Sequence, residues 1–258
     1  MNNKMDTIKT GFLAIDKVIG GFKPSELVVI AGERGMRKTS LALSMIGNIV
    51  VEERIPCAYF SLEMDNVKLV TRLISNVCNI SGSNLLYGKL NHEEWERLDK
   101  NINKITSSPL YIDDSPNLLL EDLKDRIRQY VEEQGVKLAI IDYLGLIEYA
   151  IRRLEFEVAL KSLKMLAREL NIVIVTLTNL HIGNEIPETR VPKMTDYDEF
   201  KSIGQCADWT LFIYCPELYR NEETDSNTCR VVISKDGDTS LGSASLKYQW
   251  YTRRFDNN

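Results

Sequence analysis

Metal-binding side chains are scarce in this sequence. Two histidines and five cysteines stand among 258 residues, and Cys57, Cys78, Cys206, Cys215 and Cys229 are odd in number, widely spaced and free of any Cys-x-x-Cys pair. That pattern argues against a zinc site or a disulfide framework, and the five read better as buried thiols. Long apolar runs are missing too. None approaches the roughly 18 to 20 residues that span a bilayer, and the polar start Met1 to Gly11 lacks the apolar stretch of a signal peptide. The expectation is a cytoplasmic chain with no membrane partner. Nor is there an excess of positive charge: 32 Lys and Arg face 37 Asp and Glu, a formal net charge of -5. A broad basic surface that grips nucleic acid as a monomer is therefore not expected, and any DNA contact must come from a local patch or from assembly into a ring. No internal repeat or low-complexity tract is visible.

What is present suits one large core, since 44% of the residues are hydrophobic and 27% charged. Short runs rich in Val, Ile and Leu recur, each followed by a stretch of helical periodicity, which is how a mostly parallel sheet covered by helices is written in sequence. Strands are expected at 27–31, 57–61, 110–113, 138–142, 172–176, 209–214 and 229–234. Helices are expected at 38–51, 66–78, 91–105, 118–133 and 155–170. In the last helix Val158, Leu160, Leu163, Leu166, Ala167 and Leu170 are assigned to one buried face. The stretch 183–193, with Pro187 and Pro192, reads as a long loop and 221–228 as a polar turn. The first nine or ten residues are expected to be loosely held.

The strongest chemical signal runs from Leu27 through Gly32 and Gly35 to Arg37, Lys38, Thr39 and Ser40: a strand, a Gly-containing turn, then a helix. A phosphate-binding loop needs that setting, because backbone N–H groups and a helix N-terminus surround the phosphate while a lysine reaches its terminal oxygens and a threonine ligates magnesium. The usual pattern has glycine immediately before the lysine, and here that place holds Arg37. Its side chain either fills part of the pocket or points outward and leaves binding intact. Glu63 ends the strand Ala58-Tyr-Phe-Ser61 and is suited to orient or deprotonate a water, with capping of the next helix as the plain alternative. Asp142 closes a third strand after four apolar residues, as a magnesium-associated aspartate of a nucleoside triphosphatase would.

Several segments resemble, in order, the RecA-like motor domain of DnaB-type replicative DNA helicases: Thr10-Gly-Phe-Leu-Ala-Ile-Asp16, Phe60-Ser-Leu-Glu-Met64, Pro109-Leu-Tyr-Ile-Asp-Asp114, Ile141-Asp-Tyr-Leu144, Leu163-Lys-Met-Leu-Ala167 and Ser202-Ile-Gly-Gln-Cys-Ala-Asp208. The likeness runs from about Thr10 to Phe255, so residues 10–258 are expected to form one such motor domain behind a loose 1–9. The resemblance implies a RecA-like α/β fold that binds ATP and Mg2+. Lys38 and Glu63 would be the catalytic residues, and Gly32, Gly35, Arg37, Lys38, Thr39 and Ser40 would form the nucleotide loop. Thr39 and Asp142 would serve the metal. Gln205 would lie near the nucleotide and DNA-sensing region, and Lys235 would reach the γ-phosphate of a neighbouring subunit. It also implies a homo-oligomer, hexameric in the family, working on single-stranded DNA with other replication proteins as partners. The chain would lack the family's N-terminal domain and linker helix, as an excised fragment or a compact relative.

Departures from the family cluster at its working positions. Besides Arg37, the family's arginine finger falls on Gly237, the glutamine after Asp-Tyr-Leu is Gly145, Ser-Gln-Leu reads Thr178-Asn179-Leu180, and an expected arginine is Asp198. The loop after Leu146 is short, although Arg152, Arg153, Arg190 and Lys193 offer local positive charge. Losing an arginine finger costs roughly a thousandfold or more in rate in other phosphoryl-transfer enzymes. Two functional readings follow: an ATP-driven helicase motor impaired by altered motifs, or a RecA-like binding and assembly module acting with a partner helicase. A recombinase-like or clock-type relative fits the fold but not the Phe-Ser-Leu-Glu-Met and Asp-Tyr-Leu context.

Overall fold

In the computed structural model the described residues are 7–116, 118–144, 153–181, 195, 197, 199–218, 227–235 and 240–258. The chain order is α1 (Leu13–Ile19), β1 (Leu27–Gly32), α2 (Lys38–Ile46), a π-helical segment (Gly47–Glu52), β2 (Cys57–Ser61), α3 (Asn66–Cys78), α4 (Gly82–Tyr87), α5 (His92–Thr106), β3 (Leu110–Asp113), α6 (Leu120–Gln134), β4 (Leu138–Asp142), α7 (Arg153–Leu170), β5 (Val173–Asn179), α8 (Phe200–Cys206), β6 (Trp209–Tyr214), a 3-10 turn (Pro216–Leu218), β7 (Thr228–Lys235), β8 (Gly242–Gln249) and β9 (Arg254–Asn257).

The strands form one sheet in the order β3-β2-β4-β5-β1-β6-β7-β8-β9. The run from β3 to β6 is parallel, and β7, β8 and β9 extend it antiparallel. Because alternate residues of a strand face opposite ways, the inner strands feed two cores. Val28 and Ile30 of β1 and Tyr59 of β2 join one with α2 and α3, while Leu27, Val29, Ala31 and Phe60 join the other with α6 and α7. Continuous burial along β1, β2 and β4 is what covering both faces demands.

All seven expected strands are present, with β5 running three residues further, to Asn179. Strands β8 and β9 and helices α1, α4 and α8 were not expected. The expected helix 38–51 is α2 followed by the π-helical segment. On α7 the buried stripe holds for Leu160, Leu163, Leu166 and Ala167, but Val158 is 62% exposed. It lies two residues, more than half a turn, from Leu160 and so points off the buried face. At the N-terminus order begins before Thr10: Ile8 is buried and pairs with Phe22, and the Thr10 N–H donates to Asp16 Oδ1 at 2.9 Å. Two cysteines also differ from expectation. Cys215, just after β6, and Cys229, in the neighbouring antiparallel β7, form a disulfide, with Cα atoms 4.3 Å apart. Their spacing of 14 residues shows nothing of a pairing that strand register creates. Cys57, Cys78 and Cys206 are buried thiols as expected.

Residues 145–152, the loop 183–193, Asp198, most of 221–228, and Gly237 lie outside the described residues. No helix of the described residues is long and apolar enough to cross a membrane.

Candidate functional site

The carboxyl ends of four neighbouring strands, β2, β4, β5 and β1, open on one cleft of about 510 Å³. Its lining includes Gly35, Arg37, Lys38, Thr39 and Ser40 from the turn and helix after β1, Glu63 from beyond β2, Asp142 from β4 and Asn179 from β5. Parallel register creates this meeting: Ser61 stands opposite Asp142, and Gly32 opposite Asn179. Ligands of open parallel sheets sit at such strand ends.

The loop after β1 has the backbone that a phosphate loop requires. Gly32 ends the strand where an added Cβ would lie 2.8 Å from the Ile213 carbonyl oxygen, so no larger residue fits without a shift. Gly35 has φ 88°, in the left-handed region that favours glycine. The chain then turns into α2 at Arg37, which supplies no side-chain cap, so the first N–H groups of α2 have no side chain of Arg37 over them. Lys38 Nζ donates to the carbonyl oxygens of Gly32 and Glu33 at 2.8 and 2.9 Å. Burial lowers its pKa from 10.5 to about 8, against the opposing pull of Asp142, Glu63 and Glu33.

Asp142 is buried, and burial raises its pKa; the neighbouring Glu63 adds to the rise, while hydrogen bonds from Tyr59 and Thr39 and the charge of Lys38 oppose it. The Tyr59 hydroxyl donates to Oδ2 at 2.7 Å, and its own pKa is pushed well up, first by burial and then by Asp142. The Thr39 hydroxyl lines the cleft together with Asp142 and carries lone pairs that can meet a cation. The donor set is therefore that of a magnesium-bound polyphosphate: amides at a helix start, one ammonium, one hydroxyl and a carboxylate behind it. Glu63 is exposed and lines the cleft. It does not cap α3. That role belongs to Asp65, whose side chain accepts from the Lys68 N–H.

Of the two placements left open above, the structure shows the first: Arg37 holds φ 62°, and its side chain, 5% exposed, lines the cleft and fills part of it. The guanidinium pairs with Glu217, donates to Cys229 Sγ at 3.3 Å, and lies 4.0 Å from the ring centroids of both Tyr248 and Trp250. Gln205 and Lys235 are not among the residues lining this cleft. Gln205 is exposed on α8, and Lys235 ends β7, also exposed, with Nζ 5.4 Å over the Trp209 ring.

The cleft residues that escaped the sequence reading include Arg72, Arg253, Tyr248 and Trp250. The alternation of Ala244, Leu246 and Tyr248 as buried residues marks β8, and that period-2 pattern was available in the sequence. Burial of Arg72 and the nearby charge of Arg253 lower the Arg72 pKa, so two cations face the cleft from within the same chain.

A parallel sheet between helical layers, extended by an antiparallel edge and carrying a phosphate-loop turn after its first strand, defines a RecA-like phosphate-loop domain. The chain belongs to the DnaB-like helicase C terminal domain family, whose model matches residues 7–257. It is 32% identical over 261 residues to the replicative DNA helicase DnaB of Geobacillus stearothermophilus, covering 96% of this chain and 58% of that protein. It is 35% identical to the DnaB of Treponema pallidum (strain Nichols), covering 96% of this chain and 55% of that protein. The chain thus spans little more than half the length of these relatives. Among solved structures, one described as an ATPase domain superposes with a TM-score of 0.88 at 26% identity, covering all of this chain and 93% of that one. A DnaB-like replicative helicase described with its primase interactions gives the same TM-score and identity and is covered over 65% of its length.

Proposed function

We propose that this chain is the motor portion of a DnaB-like helicase, binding Mg2+ and ATP in the cleft at the ends of β1, β2 and β4 and hydrolysing ATP to move along single-stranded DNA. The observation that carries the reading is the convergence of Lys38, Thr39, Glu63 and Asp142, from three separate strand ends, on one cleft. Lys38 and the α2 amides would hold the phosphates, and Thr39, with Asp142 behind it, would hold Mg2+. The ion supplies charge neutralisation at the transferring phosphoryl group. Glu63, free at the surface of the cleft, would orient the attacking water and take its proton. A homo-oligomeric ring, hexameric by family resemblance, would place the exposed Lys235 and Gln205 at subunit boundaries, away from their own cleft. The primase named with one related structure makes replication proteins the partners to try.

A second reading, a binding and assembly module without efficient turnover, is favoured by one feature: the residue before Lys38 is an arginine drawn into the aromatic corner of Tyr248 and Trp250. Phosphate release by the full chain with Mg2+ and ATP, with and without a single-stranded oligonucleotide, separates the two. The motor reading expects DNA to accelerate turnover and Glu63→Gln to lower it about a hundredfold or more while leaving ATP binding intact. Nucleotide binding with no turnover under any DNA condition would overturn it in favour of the module.

A further inference from the structure

The cleft has two unlike ends. One is the phosphate loop; the other is an aromatic corner, where the Tyr248 and Trp250 rings meet edge to face at 78° with centroids 5.4 Å apart. The corner is braced. Tyr248 packs on Phe255 at 4.9 Å, and Trp250 Nε1 donates to Asn227 Oδ1 at 2.8 Å. Trp250 is nevertheless 52% exposed, so the corner is open to solvent on one side.

Arg37 fills this corner from inside the molecule. A guanidinium is planar, delocalised and weakly hydrated, and it stacks on the same aromatic faces that accept a nucleobase. Its occupancy is reinforced by Glu217, 9% exposed, whose second carboxylate oxygen has no partner among the described residues. Removing Arg37 from the corner therefore also strips a buried carboxylate of its counter-charge, which strongly opposes release. The residue is also covalently adjacent to Lys38, so one side chain's reach joins the two ends of the cleft.

We propose that Arg37 is a specificity-determining residue, an internal occupant of the Tyr248–Trp250 corner that excludes the nucleobase and makes the cleft select its ligand by the polyphosphate. This rests on the reading of the cleft as a triphosphate site. A nucleoside triphosphate and an inorganic tripolyphosphate then bind with similar strength, because the base gains little while the guanidinium holds its seat. Base stacking becomes available once the guanidinium is gone.

The test is calorimetric titration of the full chain, in Mg2+, with ATP and separately with inorganic tripolyphosphate. In the native protein the two affinities should lie within about threefold. In Arg37→Gly, which suits the left-handed backbone at this position, the ratio of ATP to tripolyphosphate affinity should rise at least tenfold, and adding Trp250→Ala should abolish the rise. Glu217→Gln, which loosens the guanidinium without altering the loop, should raise the ratio several-fold and serves if the glycine variant fails to fold. An unchanged ratio in both variants overturns the proposal, as does a parallel loss of both ligands, which would make Arg37 a phosphate ligand. If tripolyphosphate binds throughout and the ratio stays flat, only the exclusion of the base fails. If neither ligand binds any form, the triphosphate reading fails with it.

Discussion

Burial brings the Lys38 ammonium close to its titration range: its pKa falls to about 8, although three carboxylates pull the other way. Between about pH 8 and the ordinary 10.5 the folded protein holds fewer protons than the unfolded chain, so this lysine favours folding more as pH rises across that window. A phosphate needs the opposite form. Affinity for Mg2+ and ATP should therefore weaken as pH climbs above about 8, by up to about tenfold per pH unit, and Lys38→Arg should flatten the profile because arginine does not deprotonate there. Dissociation constants measured from about pH 7 to 9.5 check this, and a flat native profile would refute it. Lys38, Thr39, Glu63 and Asp142 were legible in the sequence because strand-turn-helix context and strand-end carboxylates are local signals. Tyr59 behind Asp142, and the Arg37 contacts with Glu217, Tyr248 and Trp250, were not. They join residues 83, 180 and about 210 positions apart, which only the register of the folded sheet brings together.

Among elements, helix α7 separates the legible from the hidden most cleanly. Leu160, Leu163, Leu166 and Ala167 follow the three-to-four spacing and are buried, whereas Val158, assigned to the same face by that spacing, lies two residues from Leu160 and is exposed. Leu163→Ala should cost about 2–5 kcal/mol of stability and Val158→Ala no more than about 0.5 kcal/mol in urea unfolding; similar losses for both would contradict the packing described. The same helix shows why some family segments serve structure. Lys164, within Leu163-Lys-Met-Leu-Ala167, contacts Asp208, within Ser202 to Asp208, at 2.6 Å, and Asp208 accepts the Leu27 N–H at 2.7 Å. These two motifs thus anchor the start of β1, at the opposite end of the strand from the cleft. The antiparallel edge was harder to read. β8 alternates polar and apolar residues, but β9 is only four residues long, too short to carry a period. The Cys215–Cys229 link follows from the β6–β7 pairing and had no sequence signal of its own.

At the scale of the whole molecule, an acidic chain with net charge -5 places its cations locally. Arg34, Arg37, Lys38, Arg72 and Arg253 all line the cleft, so the positive charge that composition denies to the surface at large is gathered where a polyphosphate would sit. That concentration was not visible in a linear reading, because Arg72 lies on α3 and Arg253 follows β8, far apart in sequence. The fold class was visible, since alternating strands and helices admit few arrangements. The central claim is that this gathered charge holds a nucleotide through Lys38. The direct measurement is titration of the full chain with a fluorescent ATP analogue in Mg2+, beside a folded Lys38→Ala variant. Saturable binding by the native chain is expected, with a loss of about ten- to a hundredfold in the variant, as removal of charge-assisted hydrogen bonds to phosphate requires. Equal binding by the two proteins, or none by the native chain, would contradict it.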